Sequence, residues 1–236
     1  MSNPKAVIIG VGDGLSASVA QTLANDGYDL ILAARDTAKL AELGKETSAK
    51  LVACDASDAN LVSGLFNAVD GDLRVMIYNP SARVRGPLAE LVAEDVRKAI
   101  EVTAYGAFLA GQAAARIMLE QTPDETGKRG TILFTGASAG VKGFPQSAPF
   151  AMGKFAQRGL SQSMSRELHP KGIHVAWINI DGGIRNPERT TRIDAADNPD
   201  SMLAPDEIAK TYLHLINQHR SVWSEEITVR PWVERF

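Results

Sequence analysis

Seven short, mostly apolar runs alternate with longer amphipathic stretches along this chain. The runs cover residues 5–9, 28–34, 50–54, 73–78, 130–135, 173–180 and 226–229, and the stretches cover 14–26, 37–47, 58–69, 88–120, 149–168 and 205–218. A strand-length run with little polar content must be buried on both faces, and a helix between successive runs supplies the cover. The pattern therefore predicts repeated strand–helix–strand units: an α/β fold with a doubly wound, seven-stranded parallel sheet and helices on both faces. Right-handed crossovers then bring ligands to the carboxyl ends of the strands, so residues that follow strands carry the most functional information.

No linker or repeat divides the 236 residues, which contain 44% hydrophobic side chains and suit one domain spanning 1–236. A formal net charge of -3 argues against a nucleic-acid partner, since duplex binding depends on clustered Lys and Arg. The first ten residues lack a long apolar segment, and no stretch approaches the roughly 20 apolar residues that span a bilayer. The expectation is a soluble cytoplasmic protein with no membrane partner. The one cysteine, Cys54, ends an apolar run and reads as a small core residue.

The first run enters Gly10-Val-Gly12-Asp-Gly14-Leu15-Ser16, after which a helix begins. Glycines let the backbone turn tightly and approach a pyrophosphate, whose charge the free N–H groups and helix dipole stabilise. Between a strand and a helix this is a Rossmann-type dinucleotide turn. The second run ends at Ala34-Arg35-Asp36, where a preference for NAD would call for a carboxylate. Ala34 has none, and the Arg35 guanidinium suits a 2'-phosphate, so NADP is the favoured cofactor and NAD the alternative.

These motifs, with others in the same order, resemble the short-chain dehydrogenase/reductase family over nearly the whole chain. Gly10, Gly12 and Gly14 are similar to its glycine motif, Cys54-Asp55-Ala56 to its adenine-contacting pair, and Tyr78-Asn79-Pro80-Ser81 to its Asn-Asn-Ala-Gly turn. The resemblance implies cofactor roles for Gly10, Gly12, Gly14, Leu15, Arg35, Asp55, Ala56, Asn79, Pro80 and Lys154. It adds Gly182 and Ile184, within Asp181-Gly-Gly-Ile184, on the nicotinamide side.

The resemblance also implies an acid–base set of Tyr, Lys, Ser and Asn, and here the pattern breaks. Phe150-Ala-Met-Gly-Lys154 has Phe150 at the Tyr position, Ala137 lies thirteen residues earlier at the Ser position, and Thr103 lies at the Asn position. Lys154 alone persists, and its ammonium implies a hold on the nicotinamide ribose. Losing a positioned acid costs about 10²- to 10⁴-fold in rate, so a substitute donor is sought among Ser138, Asp181 and Tyr105. Two functions stay open: an oxidoreductase on a small carbonyl or alcohol with a non-standard proton donor, and a nucleotide-binding regulatory or partner protein without catalysis.

Arg83, Arg85, Lys142, Arg185, Arg189 and Arg192 fall in loops expected around the pocket mouth, which suggests an anionic small-molecule substrate such as a carboxylate or phosphate ester. Residues 182–204 are expected to form a lid on the substrate side. The four histidines lack ligand spacing, so no metal is implied. The tail, 226–236, carries Trp232 and Phe236 beside arginines, a composition common at interfaces, and suggests a homodimer or homotetramer.

Overall fold

The structure, a computed structural model, describes residues 3–186 and 191–234. Arg189 and Phe236 therefore lie outside the described residues. Strands β1 (Lys5–Ile9), β2 (Asp29–Ala34), β3 (Lys50–Ala53), β4 (Leu73–Tyr78), β5 (Gly130–Thr135), β6 (Ile173–Ile180) and β7 (Glu226–Val229) form one sheet. Its order is β3-β2-β1-β4-β5-β6-β7, with every adjacent pair parallel. The helices are α1 (Leu15–Asn25), α2 (Ala41–Glu46), α3 (Ala59–Asn67), α4 (Ala93–Ile100), α5 (Gly106–Glu120), α6 (Ala148–Leu168) and α7 (Pro205–Asn217). No helix among the described residues is long and apolar enough to cross a membrane.

Alternation along the strands divides the apolar side chains between two cores. Val7 and Ile9 of β1, Met76 and Tyr78 of β4, and Val175 and Trp177 of β6 face α3, α5 and α6. Ala6 and Ile8, Val75 and Ile77, and Ala176 and Ile178 face α1 and α7 on the other side. Each central strand is thus buried twice, whereas the edge strands β3 and β7 are only partly covered, which is why the central runs contain so little polar residue. The chain winds one way from β1 to β3 and the other way from β4 to β7. The connections that leave the paired ends of β1 and β4 consequently run to opposite faces of the sheet, leaving a crevice at the switch point.

The expected helix at 88–120 is corrected by the structure. Leu88–Glu90 make a single 3-10 turn, α4 begins only at Ala93, and Glu101–Tyr105 form a π-helical stretch before α5. The carbonyls in that stretch are diverted to side chains: Val102 accepts from the Tyr78 hydroxyl, and Thr103 accepts from Gln157 Nε2 at 3.2 Å. Such π segments commonly mark functional positions. Gln157 lies on α6 and Tyr78 on β4, so neither partner is legible from helical periodicity at 101–105.

Gly106 opens α5 where the helix crosses the end of β4. A Cβ there would run into the Tyr78 hydroxyl and the Ala56 carbonyl. Replacing a helical glycine by alanine ordinarily stabilises a helix by about 1 kcal/mol, but here overpacking opposes that gain at about 1–3 kcal/mol. Gly106→Ala is expected to lower stability, checked by the urea midpoint; an unchanged or raised midpoint would show that α5 can lift away freely.

Candidate active site

The crevice at the switch point is a cleft of about 530 Å³ lined by the Gly10–Ser16 turn, Asn79, Arg83, Thr135, Phe150, Lys154, Gly182 and Ile184 among others. Gly10 has φ +81°, and a Cβ on it would lie 2.7 Å from the ring of Pro80. The turn therefore requires glycine both for its backbone and for the approach of the β4 loop. The Gly10 carbonyl accepts from Ser16 Oγ and from Asn79 Nδ2, each at 3.2 Å, and Asn79 Nδ2 also donates to Ser16 Oγ at 2.6 Å. Asn79 and Pro80 thus act by bracing the turn.

No side chain caps α1 at Gly14, and no heavy atom lies within 4 Å of where a Cβ would project from Gly12 or Gly14. The first amides of α1 have no partner within their helix. They face open space at the positive end of the helix dipole, while buried Leu15 closes the turn from below. These residues fit a dinucleotide pyrophosphate. Asp13, exposed at the rim, brings the one carboxylate into this lining.

Arg35, Asp55 and Ala56 lie beside the cleft, where β2 and β3 end in register at Ala34 and Ala53. Arg35 is exposed and makes no ion pair among the described residues. The Asp55 carboxylate accepts from the Ser57 hydroxyl at 2.7 Å and the Ser57 amide at 2.9 Å. These bonds, with the charge of Arg35, hold its carboxyl below the usual range. Both bonds use the same oxygen of Asp55, which leaves the second oxygen for another donor.

Lys154 is 2% exposed, yet carries an ammonium at the cleft wall. Its Nζ donates to the Thr135 carbonyl at 2.5 Å and to Gln157 Oε1 at 3.2 Å. Gln157 is itself fully buried; it also accepts from Trp177 Nε1 at 3.3 Å and donates to the Thr103 carbonyl. One amide therefore ties α6 to β6 and to the π stretch. Thr135, whose carbonyl holds the ammonium, is fixed through its hydroxyl 2.7 Å from the Tyr212 hydroxyl of α7. Burial, then the charge of Arg83, lowers the Lys154 ammonium from 10.5 to about 7.

A second cavity of about 480 Å³ adjoins the cleft, lined by Arg83, Arg85, Arg192, Ser138, Phe144 and Phe150 among others. Phe150 lines both. The Arg83 guanidinium lies over the Phe150 ring, its Cζ 4.5 Å from the centroid. Although Arg83 as a residue is exposed, burial of its charged end and the charges of Arg192 and Arg85 lower its pKa. Ala137 lines both cavities, and Thr103 is fully buried behind them, accepting from the Ala82 amide at 3.1 Å.

The three candidate proton donors fare differently. Ser138 opens a 3-10 turn and lines the outer cavity but not the cleft. Asp181, expected beside the nicotinamide, is outside both linings; its carboxylate pairs with Arg230 at 3.2 Å because β6 and β7 end together. Tyr105 is corrected as well: it is 46% exposed and stacks on Phe108, because the π stretch rotates it outward. Gly182 lines both cavities with φ +154°, and Ile184 lines the cleft and bridges to Leu203. Of the expected mouth residues, Arg185 pairs with Asp194 and Asp200, and Lys142 lies over Phe144 outside both linings.

Sequence reasoning missed Gln157, Thr135 and Tyr212. Gln157 had a signal, being three residues after Lys154 and so on the same helical face. The other two depend on which strand end meets α7, and no local pattern carries that.

Residues 4–195 match the family model for short chain dehydrogenases. An L-2,3-butanediol dehydrogenase of Corynebacterium glutamicum is 32% identical over 181 residues, covering 72% of this chain and 68% of the relative. An uncharacterized oxidoreductase of Staphylococcus aureus (strain USA300) is 26% identical, covering 98% of both chains. Among solved structures, a short-chain dehydrogenase from Rhodopseudomonas palustris superposes with a TM-score of 0.81 at 33% identity, over 98% of this chain and 99% of that one. A metagenomic short-chain oxidoreductase in complex with NADP superposes at 0.82 with 24% identity, over 99% of each chain.

The buried ammonium has a measurable consequence. Unfolded Lys154 keeps its proton up to its ordinary pKa of 10.5, whereas the folded protein releases it near 7. The unfolded state therefore holds more protons in that window, and this group's contribution to stability rises with pH. Urea unfolding of the nucleotide-free protein at both ends of the window is expected to favour the wild type over Lys154→Met increasingly as pH rises. A difference independent of pH would mean that the ammonium titrates as if it were in water.

Proposed function

Because the chain belongs to the short chain dehydrogenase family, we propose that it is an NADP(H)-dependent oxidoreductase acting on a small carbonyl compound or the matching alcohol. The observation that carries this reading is the uncapped glycine turn at the switch point, with the Lys154 ammonium on the cleft wall. The bound cofactor would supply hydride. The amides of Gly12, Gly14 and Leu15 would hold the pyrophosphate, Asp55 and Ala56 the adenine edge, and Lys154 the nicotinamide ribose, with Gly182 and Ile184 closing that side. Arg35 would take the 2'-phosphate, a preference also supported by the fold-level likeness to an oxidoreductase in complex with NADP.

In this reading Phe150, Ala137 and Thr103 stand where the family's Tyr, Ser and Asn would be, so no phenol serves as the acid. Ser138 stays within reach of the outer cavity. Arg85 and Arg192 line that cavity with no carboxylate among its described lining residues, and they favour an anionic substrate. Residues 182–204, of which 187–190 lie outside the described residues, would cover it from the β6 side. The half-exposed Tyr105, Phe108, Met152 and Phe155 supply an apolar face on α5, α6 and the π stretch for a homodimer or homotetramer.

Titration with NADPH and NADH, followed by nicotinamide fluorescence, tests the proposal, and a panel of carbonyl compounds then tests turnover. NADPH is expected to bind more tightly, and Arg35→Ala to weaken NADPH by about 10- to 100-fold, as loss of a charge-assisted bond implies, with NADH little changed. NADPH that binds without ever being oxidised would overturn the catalytic reading in favour of a nucleotide-binding partner protein. Absence of binding would overturn the cofactor reading itself.

A further inference from the structure

The two cavities meet at a narrow shared wall. Arg83, Ala137, Phe150, Ile180, Gly182 and Arg192 line both, and the arginines are the only ones of the six with a polar side chain. A polar substrate atom at this junction therefore meets a guanidinium or no side-chain partner. The two arginines are not equivalent. Arg192 comes from the segment between β6 and α7, whereas Arg83 follows β4 directly and is seated over the Phe150 ring at 4.5 Å. Stacking against an aromatic face restrains a guanidinium while leaving its in-plane N–H groups free to donate.

We propose that Arg83 is a catalytic residue that receives the developing negative charge on the substrate oxygen at the junction of the two cavities. This rests on the oxidoreductase reading above. An arginine holds its proton too firmly to act as an acid, so its contribution is electrostatic: preorganised donors aimed at an oxyanion. In the reducing direction the carbonyl carbon gains a hydride from a dihydronicotinamide, and the carbonyl π pair becomes a lone pair on oxygen. The alkoxide is held by the guanidinium until water delivers a proton and leaves hydroxide to the solvent.

The charges around Arg83 suit this role. Arg85 lies on its own loop, Arg192 faces it from the segment after β6, and Lys154 faces it from α6. Among the described residues no carboxylate lines the outer cavity, and Asp13 lies on the glycine turn in the cleft. Arg83 makes no ion pair among the described residues. An oxygen anion would thus enter a field of like positive charges, with no carboxylate paired to Arg83 among the described residues.

The test needs no turnover. A nitrophenol is a small oxygen acid whose ionised form absorbs visible light, so its ionisation can be read while it is bound. Wild-type protein is expected to lower the apparent pKa of bound nitrophenol by about one pH unit, a tenfold shift towards phenolate. Arg83→Gln is expected to abolish that shift, while Arg85→Gln keeps most of it. An equal shift in wild type and Arg83→Gln, an equal loss in both variants, or no binding of nitrophenol to the wild type would each overturn the proposal. Circular dichroism establishes that the variants fold, and NADPH fluorescence on the same samples separates the two readings. Retained NADPH binding with an unshifted phenol sinks Arg83 alone, whereas a shifted phenol without NADPH binding sinks the oxidoreductase reading and leaves an oxyanion site.

Discussion

The carbonyl oxygen of Gly10 joins the parts of the cleft. It ends β1, accepts from Ser16 at the start of α1, and accepts from Asn79 at the end of β4. Three elements that meet at the switch point are thereby fixed by one acceptor, and Pro80 presses on the same glycine from the side. The open amides at the head of α1 depend on this bracing. Without it, the turn could collapse onto its own N–H groups, and the helix dipole would have no fixed direction towards a ligand. Burial of the strands on both faces then holds the ends of β1 and β4 in place, so a local arrangement rests on the sheet as a whole.

The other half of the site depends on a buried amide. Gln157 accepts from Lys154 and Trp177 and donates to Thr103, so the ammonium is oriented by groups from three elements. Such a network in a low-dielectric interior is stiff and costly to leave incomplete. The contrast with Arg83 is instructive. One cation is enclosed by carbonyl and amide oxygens, while the other sits on a ring in the lining of both cavities.

The sheet was legible because burial on two faces leaves a mark on its central strands, and all seven runs lie at or within a residue of their observed positions. The glycine turn was legible because φ > 0 and a close backbone approach permit few other residues at Gly10. Asp181 was not, since its partner Arg230 is 49 positions away and meets it only through the pairing of β6 with β7. Tyr105 failed for a related reason: a helical wheel assumes 3.6 residues per turn, and the π stretch breaks that count four residues before it. Arg83 was visible only as one of several mouth cations. Its stacking on Phe150 depends on how the loop after β4 folds over α6.

The segment between β6 and α7 begins and ends at the same place. The Leu203 amide donates to the Gly183 carbonyl at 2.8 Å, the Arg185 amide returns the bond to Leu203, and Arg185 then reaches Asp194 and Asp200. The stem is thus closed before the excursion starts, and the strand and helix on either side do not depend on what lies between. The entropy of closing a loop grows only with the logarithm of its length. Natural variants or a designer could therefore lengthen, shorten or exchange that excursion at little thermodynamic cost, while the glycine turn and the strands that brace it are inherited unchanged.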